Sequence, residues 1–136
     1  MTQTGEGLLD TSAVLLLSAI DEPSVLPEFP LVSAVTLAEL SVGPLVARDD
    51  VERAARQAVL QQVEADFDPI PFDDRAARAF GRVAASLRAT GRTVRARSTD
   101  AMIAAIALAH DLPLYTANPH DFAGIDGLEV RVVAPK

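Results

Sequence analysis

Short apolar runs of strand character alternate with helical patterns from one end of this chain to the other, and that alternation constrains its fold more than any other feature. Gly7-Leu8-Leu9-Asp10 reads as a buried strand that stops at a carboxylate, followed by an apolar helix around Ser12–Ile20 and a turn at Asp21-Glu22-Pro23. A second strand near Leu31–Ala34 leads into Thr36-Leu37-Ala38-Glu39-Leu40, where Thr36 and Glu39 have the spacing of a capping box. Gly43-Pro44 disturbs that helix, and a polar helix follows from Asp50 to about Glu64, with Val51, Ala55, Ala58, Val59 and Gln62 at helical spacing. Asp68–Phe72 reads as a short edge strand on account of its two prolines. Asp73 then caps a helix with Ala76, Phe80, Val83 and Leu87 on one stripe, ended by Thr90-Gly91. The most apolar helix spans Asp100–His110, and strands at Leu112–Thr116 and Leu128–Val133 complete the series. Strands alternating with helices predict an α/β fold: a mostly parallel central sheet of four to five strands with helices on both faces.

At 136 residues the chain is read as one domain, 1–136, with no repeat, linker or low-complexity stretch. It contains no cysteine, which excludes disulfides and thiolate metal sites and fits a reducing cytoplasm. No basic region precedes the first apolar run, and no apolar stretch approaches the ~20 residues of a membrane span, so neither export nor membrane insertion is expected.

Two carboxylates stand where carboxylates are costly. Asp10 ends a buried strand, and Asp100 tops the apolar stripe of Ile103, Ala104 and Ala107. Such groups need pairing, hydrogen bonds or a metal. Each also has a plainer reading, Asp10 as a helix cap and Asp100 as an acid in a first helical turn. Glu39 has two readings, serving only its capping box or projecting into the crevice that forms at the carboxyl ends of parallel strands, and the second is preferred. Near the C-terminus, Thr116-Ala117-Asn118-Pro119-His120-Asp121-Phe122 adds a polar turn, in which His120 reads as a surface residue.

The net charge of −7 argues against nonspecific attraction to nucleic acid, but its distribution is uneven. Seven arginines and no acid lie between Arg75 and Arg97. They suit phosphate recognition or, equally, a solvated face. Arg75, Arg78 and Arg82 share one flank of their helix, and together with Arg92, Arg95 and Arg97 they are expected to border the acidic cleft. An aspartate-nucleophile phosphatase would want a second acid where Ser12 stands, and a receiver domain a site lysine, whereas Lys136 is the only lysine.

The sequence Leu9-Asp10-Thr11-Ser12, then Thr36-x-x-Glu39-Leu40, then Asp100-Ala101-x-Ile103-Ala104-Ala105, then Tyr115-Thr116-x-Asn118-x-x-Asp121-Phe122 resembles the PIN-domain nucleases, and among them the toxin ribonucleases of bacterial VapBC toxin–antitoxin pairs. The resemblance runs from about residue 7 to residue 133. It implies a single PIN domain acting as a metal-dependent endoribonuclease on RNA, with Mg²⁺ or Mn²⁺ held by Asp10, Glu39, Asp100 and Asp121. It assigns Thr11, Ser12 and Thr116 to orienting the carboxylates and leaves the fourth ligand between Asn118 and Asp121. It further implies a cognate antitoxin and a homodimer. Three consecutive leucines, Leu15-Leu16-Leu17, exceed what one buried helical face needs and form the expected partner surface. The competing reading is an interaction module that binds RNA or protein without cleaving.

Overall fold

The computed structural model describes residues 5–20, 23–93 and 95–134. Its sheet is built from β1 (Glu6–Leu9), β2 (Phe29–Val32), β3 (Leu114–Thr116) and β4 (Val130–Val132). The strands lie in the order β2-β1-β3-β4, and every pairing is parallel, with Leu8 opposite both Leu31 and Leu114, and Leu114 opposite Val130. The expected parallel α/β architecture is therefore the observed one, with four strands among the described residues.

The two-residue period of a strand sends neighbouring side chains to opposite faces, and here it divides the core in two. Leu8, Leu31 and Leu114 face α4 (Asp74–Ala89) and α5 (Ser98–Ala109). Leu9, Val32 and Tyr115 face the other way, onto Ala13 and Val14 of α1 (Thr11–Leu15), Leu40 of α2 (Ala34–Val42) and Val63 of α3 (Asp50–Asp66). A sheet covered on both faces needs hydrophobic residues at consecutive strand positions, which is what Leu8-Leu9 and Leu31-Val32 supply. Gly7 is required by a close approach: a Cβ there would stand 2.4 Å from Cε1 of the Tyr115 ring. The central helix α5 buries Ala101 and everything from Ile103 to Ala107. Small alanines let α4 pack closely along it through Ala76, Ala79, Val83 and Leu87.

Several local expectations are corrected. The apolar segment Ser12–Ile20 is not one helix: α1 stops at Leu15 and a 3₁₀ turn follows over Leu17–Ala19. Three leucines in a row cannot share one helical face, and the break leaves Leu15 56% exposed while Leu16 and Leu17 are partly buried. The docking surface expected of all three leucines therefore reduces to Leu15. The turn expected at Asp21-Glu22-Pro23 lies largely outside the described residues. Helix α2 is capped by Ser33, whose hydroxyl accepts the Thr36 N–H at 3.1 Å, so Thr36 is not the cap and the capping box does not form. Asp68–Phe72 makes a single bridge, Ile70 with Ser33, because Pro69 and Pro71 have no N–H to continue a ladder. Helix α3 forms as expected, but it turns Val59 and Val63 inward and leaves Val51, Ala55, Ala58 and Gln62 exposed. On α4 the buried stripe runs through Ala79; Phe80 sits beside it, edge-on to Phe72 with ring centroids 6.3 Å apart. No helix among the described residues is long and apolar enough to cross a membrane.

Candidate active site

The carboxyl ends of β1, β2 and β3 open onto one polar cluster. Asp10 follows β1 directly and caps α1, its Oδ1 accepting the Ala13 N–H at 2.9 Å. The plainer reading of Asp10 is thus true, and incomplete. The same Oδ1 accepts the Ser12 hydroxyl at 2.7 Å, and Oδ2 accepts the Thr116 hydroxyl at 2.6 Å. Asp10 is only 4% exposed, so three donors hold a buried carboxylate in one orientation and leave one of its roughly four acceptor positions open. Thr116 is itself fixed, its Oγ1 accepting the Asn118 N–H at 2.9 Å, and Ser12 Oγ accepts the Ala117 N–H at 3.0 Å.

Glu39 projects from the second turn of α2. Thr11 Oγ1 donates to its Oε1 at 2.5 Å and lies 3.0 Å from the hydroxyl of the fully buried Thr36. Residue types alone did not reveal that Thr36 supports the cluster, because a threonine two residues after a strand reads first as a cap.

Asp100 lies in the first turn of α5, where the helix dipole favours a negative charge. Its pKa is nevertheless raised to about 6. Burial is the main cause, followed by the negative charges of Asp121, Glu39 and Asp10, and only Arg97 opposes them. The other three acids expected from the sequence therefore lie near enough to act on Asp100 electrostatically. Asp121 does so from the 3₁₀ turn Pro119–Phe122, which the buried Phe122 anchors. Asn118 caps that turn without a side-chain hydrogen bond and is exposed, as is His120.

Arg97 stands between two of the acids, with Nη1 2.5 Å from Asp121 Oδ1 and 3.9 Å from Asp100 Oδ2. It was expected to meet phosphate; it meets carboxylates. Arg92 turns inward and donates from Nη2 to the His120 carbonyl at 2.6 Å. Arg95 is exposed in the 3₁₀ turn Arg95–Arg97. Arg75, Arg78 and Arg82 do not border the acids: they line a groove with Leu108 and Ala109, at the other end of α5.

The donor set is entirely oxygen, and Asp100 is pushed up by three like charges that a cation would relieve, so the residues fit a hard divalent metal in chemistry. Among the described residues no group of three or more such side chains is already drawn tightly enough to hold an ion, and the guanidinium of Arg97 supplies positive charge beside Asp100 and Asp121. Loading an ion would require these side chains to shift. An apolar groove of about 340 Å³ adjoins the cluster, lined by Thr11 and Glu39 on one side and by Leu15, Leu40, Ala55 and Val59 on the other.

A parallel α/β domain that gathers carboxylates at the carboxyl ends of its central strands, oriented by buried hydroxyls, places them in the crevice where such sheets bind ligands. The sequence matches the PIN domain family over residues 8–128, and the chain belongs to that family. It is 40% identical over 129 residues to ribonuclease VapC5 of Mycobacterium tuberculosis, covering 93% of this chain and 92% of that one. It is 34% identical to ribonuclease VapC8 of the same species, over 77% of this chain and 93% of that one. Among solved structures it is similar to the Mycobacterium tuberculosis toxin–antitoxin complex VapBC-5, with a TM-score of 0.80 and 39% identity over 95% of this chain and 98% of that one. It shares its fold with the DNA-bound VapBC of Salmonella typhimurium, at a TM-score of 0.76 and 22% identity, over 96% of this chain and 98% of that one.

Proposed function

We propose that this chain is a divalent-metal-dependent endoribonuclease, the toxin of a toxin–antitoxin pair. The observation that carries the reading is the set of carboxylates at the carboxyl ends of the strands, with Asp10 and Glu39 held by buried or half-buried hydroxyls and Asp100 and Asp121 sharing Arg97. Its relatives' names, ribonucleases and VapBC complexes, supply the reaction class and favour it over a non-cleaving interaction module.

Asp10, Asp100, Glu39 and Asp121 are the residues that would hold Mg²⁺ or Mn²⁺, and the bound cation would activate a water and neutralise charge developing on the phosphodiester. The protein's own contribution is positioning. Ser12, Thr116 and the Ala13 N–H aim Asp10, and Thr11 aims Glu39. Asp121 takes the fourth place rather than Asn118, because its charge is the largest acting on Asp100 from a neighbouring group. Arg97 balances the cluster, and Arg95, exposed beside it, is the arginine of this loop best placed to meet phosphate. Asp100 must give up its proton before it can serve as a ligand, so cation affinity falls as pH drops through about 6.

The antitoxin lies across the apolar groove beside Glu39, where Leu15 offers an exposed anchor next to the acids. The exposed Val42, Leu45, Val46 and Val51 provide apolar area for a homodimer. The absence of cysteine suits work in the cytoplasm. The test is cleavage of total cellular RNA by purified protein with Mg²⁺, with Mn²⁺ and with EDTA, followed by mapping of new 5′ ends. Cleavage should require metal and vanish in Asp10→Asn and Asp100→Asn; undiminished cleavage by both variants would overturn the site.

A further inference from the structure

Helix α4 packs antiparallel to α5, so the N-terminal part of α4 meets the C-terminal end of α5. Arg75 fixes the crossing by donating from Nη2 to the Ala109 carbonyl. Along this seam Arg75, Arg78 and Arg82 flank a shallow groove of about 470 Å³ whose floor is Ala79, Leu108 and Ala109. All three arginines are exposed. Arg78 makes one solvent-facing ion pair with Asp74 at 3.4 Å, and Arg82 has no acidic partner among the described residues. We infer that this groove is a second RNA-binding site, which grips the phosphate backbone of the substrate away from the point of cleavage. This inference rests on the ribonuclease reading.

Three arguments favour backbone phosphate. Positions 75, 78 and 82 span about 10 Å of helix, so their guanidinium groups form a row that can meet successive phosphates of one strand. Arginine forks bind phosphate oxygens in bidentate fashion, and the apolar floor leaves the sugar edge a dry surface. The third argument is electrostatic need. A chain of net charge −7 with acids in its cleavage site repels RNA there, so affinity has to come from elsewhere on the surface. Ala109 is nine residues beyond Asp100 on α5, about 14 Å along the helix. RNA held at both places must therefore reach beyond the nucleotides that meet the acids. The groove would thus select structured or extended RNA over short fragments.

The test uses a fluorescein-labelled RNA hairpin of about 30 nucleotides and fluorescence anisotropy in EDTA across a salt series, so that binding is read without cleavage. Arg78→Gln/Arg82→Gln leaves the Arg75 strut intact, and Arg53→Gln on α3 is the control for loss of an exposed helical arginine. The double variant should flatten the log–log salt slope by roughly one to two units while the control matches wild type. Arg82→Glu alone should weaken binding further than Arg82→Gln, a difference that loss of packing would not produce. If wild type binds the hairpin and the double variant binds with the same slope, the groove is not an RNA site, although the ribonuclease reading stands. If the double variant keeps its RNA slope but loses affinity for the antitoxin, the groove serves an acidic protein segment and the inference is overturned. If wild type binds no RNA in EDTA, the groove is not an RNA site, and the cleavage of total RNA with Mg²⁺ decides the ribonuclease reading by itself.

Discussion

Asp100→Asn should make the metal-free protein more stable at neutral pH while abolishing its proposed function. The carboxyl of Asp100 has a pKa of about 6 against an ordinary aspartate value of 3.8. At ~1.36 kcal/mol per unit, that rise corresponds to about 3 kcal/mol of destabilisation when the group is ionised. The side chain remains 30% exposed, and solvent screening brings the figure down to about 1–2 kcal/mol. The sign follows from the direction of the shift. A carboxyl whose folded pKa exceeds its unfolded value binds its proton more tightly when folded, so the penalty is complete above about pH 6 and fades as pH falls toward 4. Asparagine carries no charge and escapes the penalty. Thermal melts in EDTA should therefore show the variant about 3–8 °C more stable at pH 7.5, taking ~3–4 °C per kcal/mol for a domain of this size, with the gap closing near pH 4. A variant equal to or less stable than wild type at pH 7.5, or a gain that does not change with pH, would refute the account of Asp100 as a crowded acid.

Other outcomes follow from contacts described above. Thr116→Val removes one of the three donors to the buried Asp10 and should cost about 1.5–3 kcal/mol in urea unfolding. Gly7→Ala forces a methyl against the Tyr115 ring and should cost about 1–3 kcal/mol in the same assay. Ser33→Ala, which removes the cap of α2, should cost about 1 kcal/mol, whereas Thr36→Ser, which keeps a hydroxyl beside Thr11, should cost less than Thr36→Val. Leu15→Glu should weaken antitoxin binding at least tenfold by calorimetry with unchanged melting, since Leu15 is exposed; wild-type affinity would remove this groove from the interface.

The fold was legible because each strand that must be buried on both faces carries paired apolar residues, and α1 and α4 begin at aspartates recognisable as caps. Asp73 caps α4 as its position suggests, and Asp49, which the sequence reading did not single out, caps α3. The errors arose where two local signals competed. Thr36 with Glu39 looks like a capping box, but the chain already enters the helix at Ser33, which frees Glu39 to reach Thr11. The acids were visible because a carboxylate ending an apolar run is rarely neutral in meaning. The arginines on α4 misled because their clustering in an otherwise acidic chain suggested one surface bordering the acids. The antiparallel turn between α4 and α5 carries Arg75 to the far end of α5, whereas Arg97, one helical turn before Asp100, pairs with the acids.

The hydrogen bond between Asp10 and Thr116 joins residues 106 positions apart. At ~5–20 residues per second, a ribosome takes roughly 5–20 s to travel from one codon to the other. Throughout that interval β1 lacks the neighbour that completes its ladder on one side, and the first acid of the cluster lacks the hydroxyl that aims it. A fragment released between residues 40 and 115 carries Asp10 and Glu39 but neither a complete β3 nor Thr116. A chain that is harmful when complete is thus disarmed by its own topology while it is being made, and an antitoxin has that time in which to be waiting.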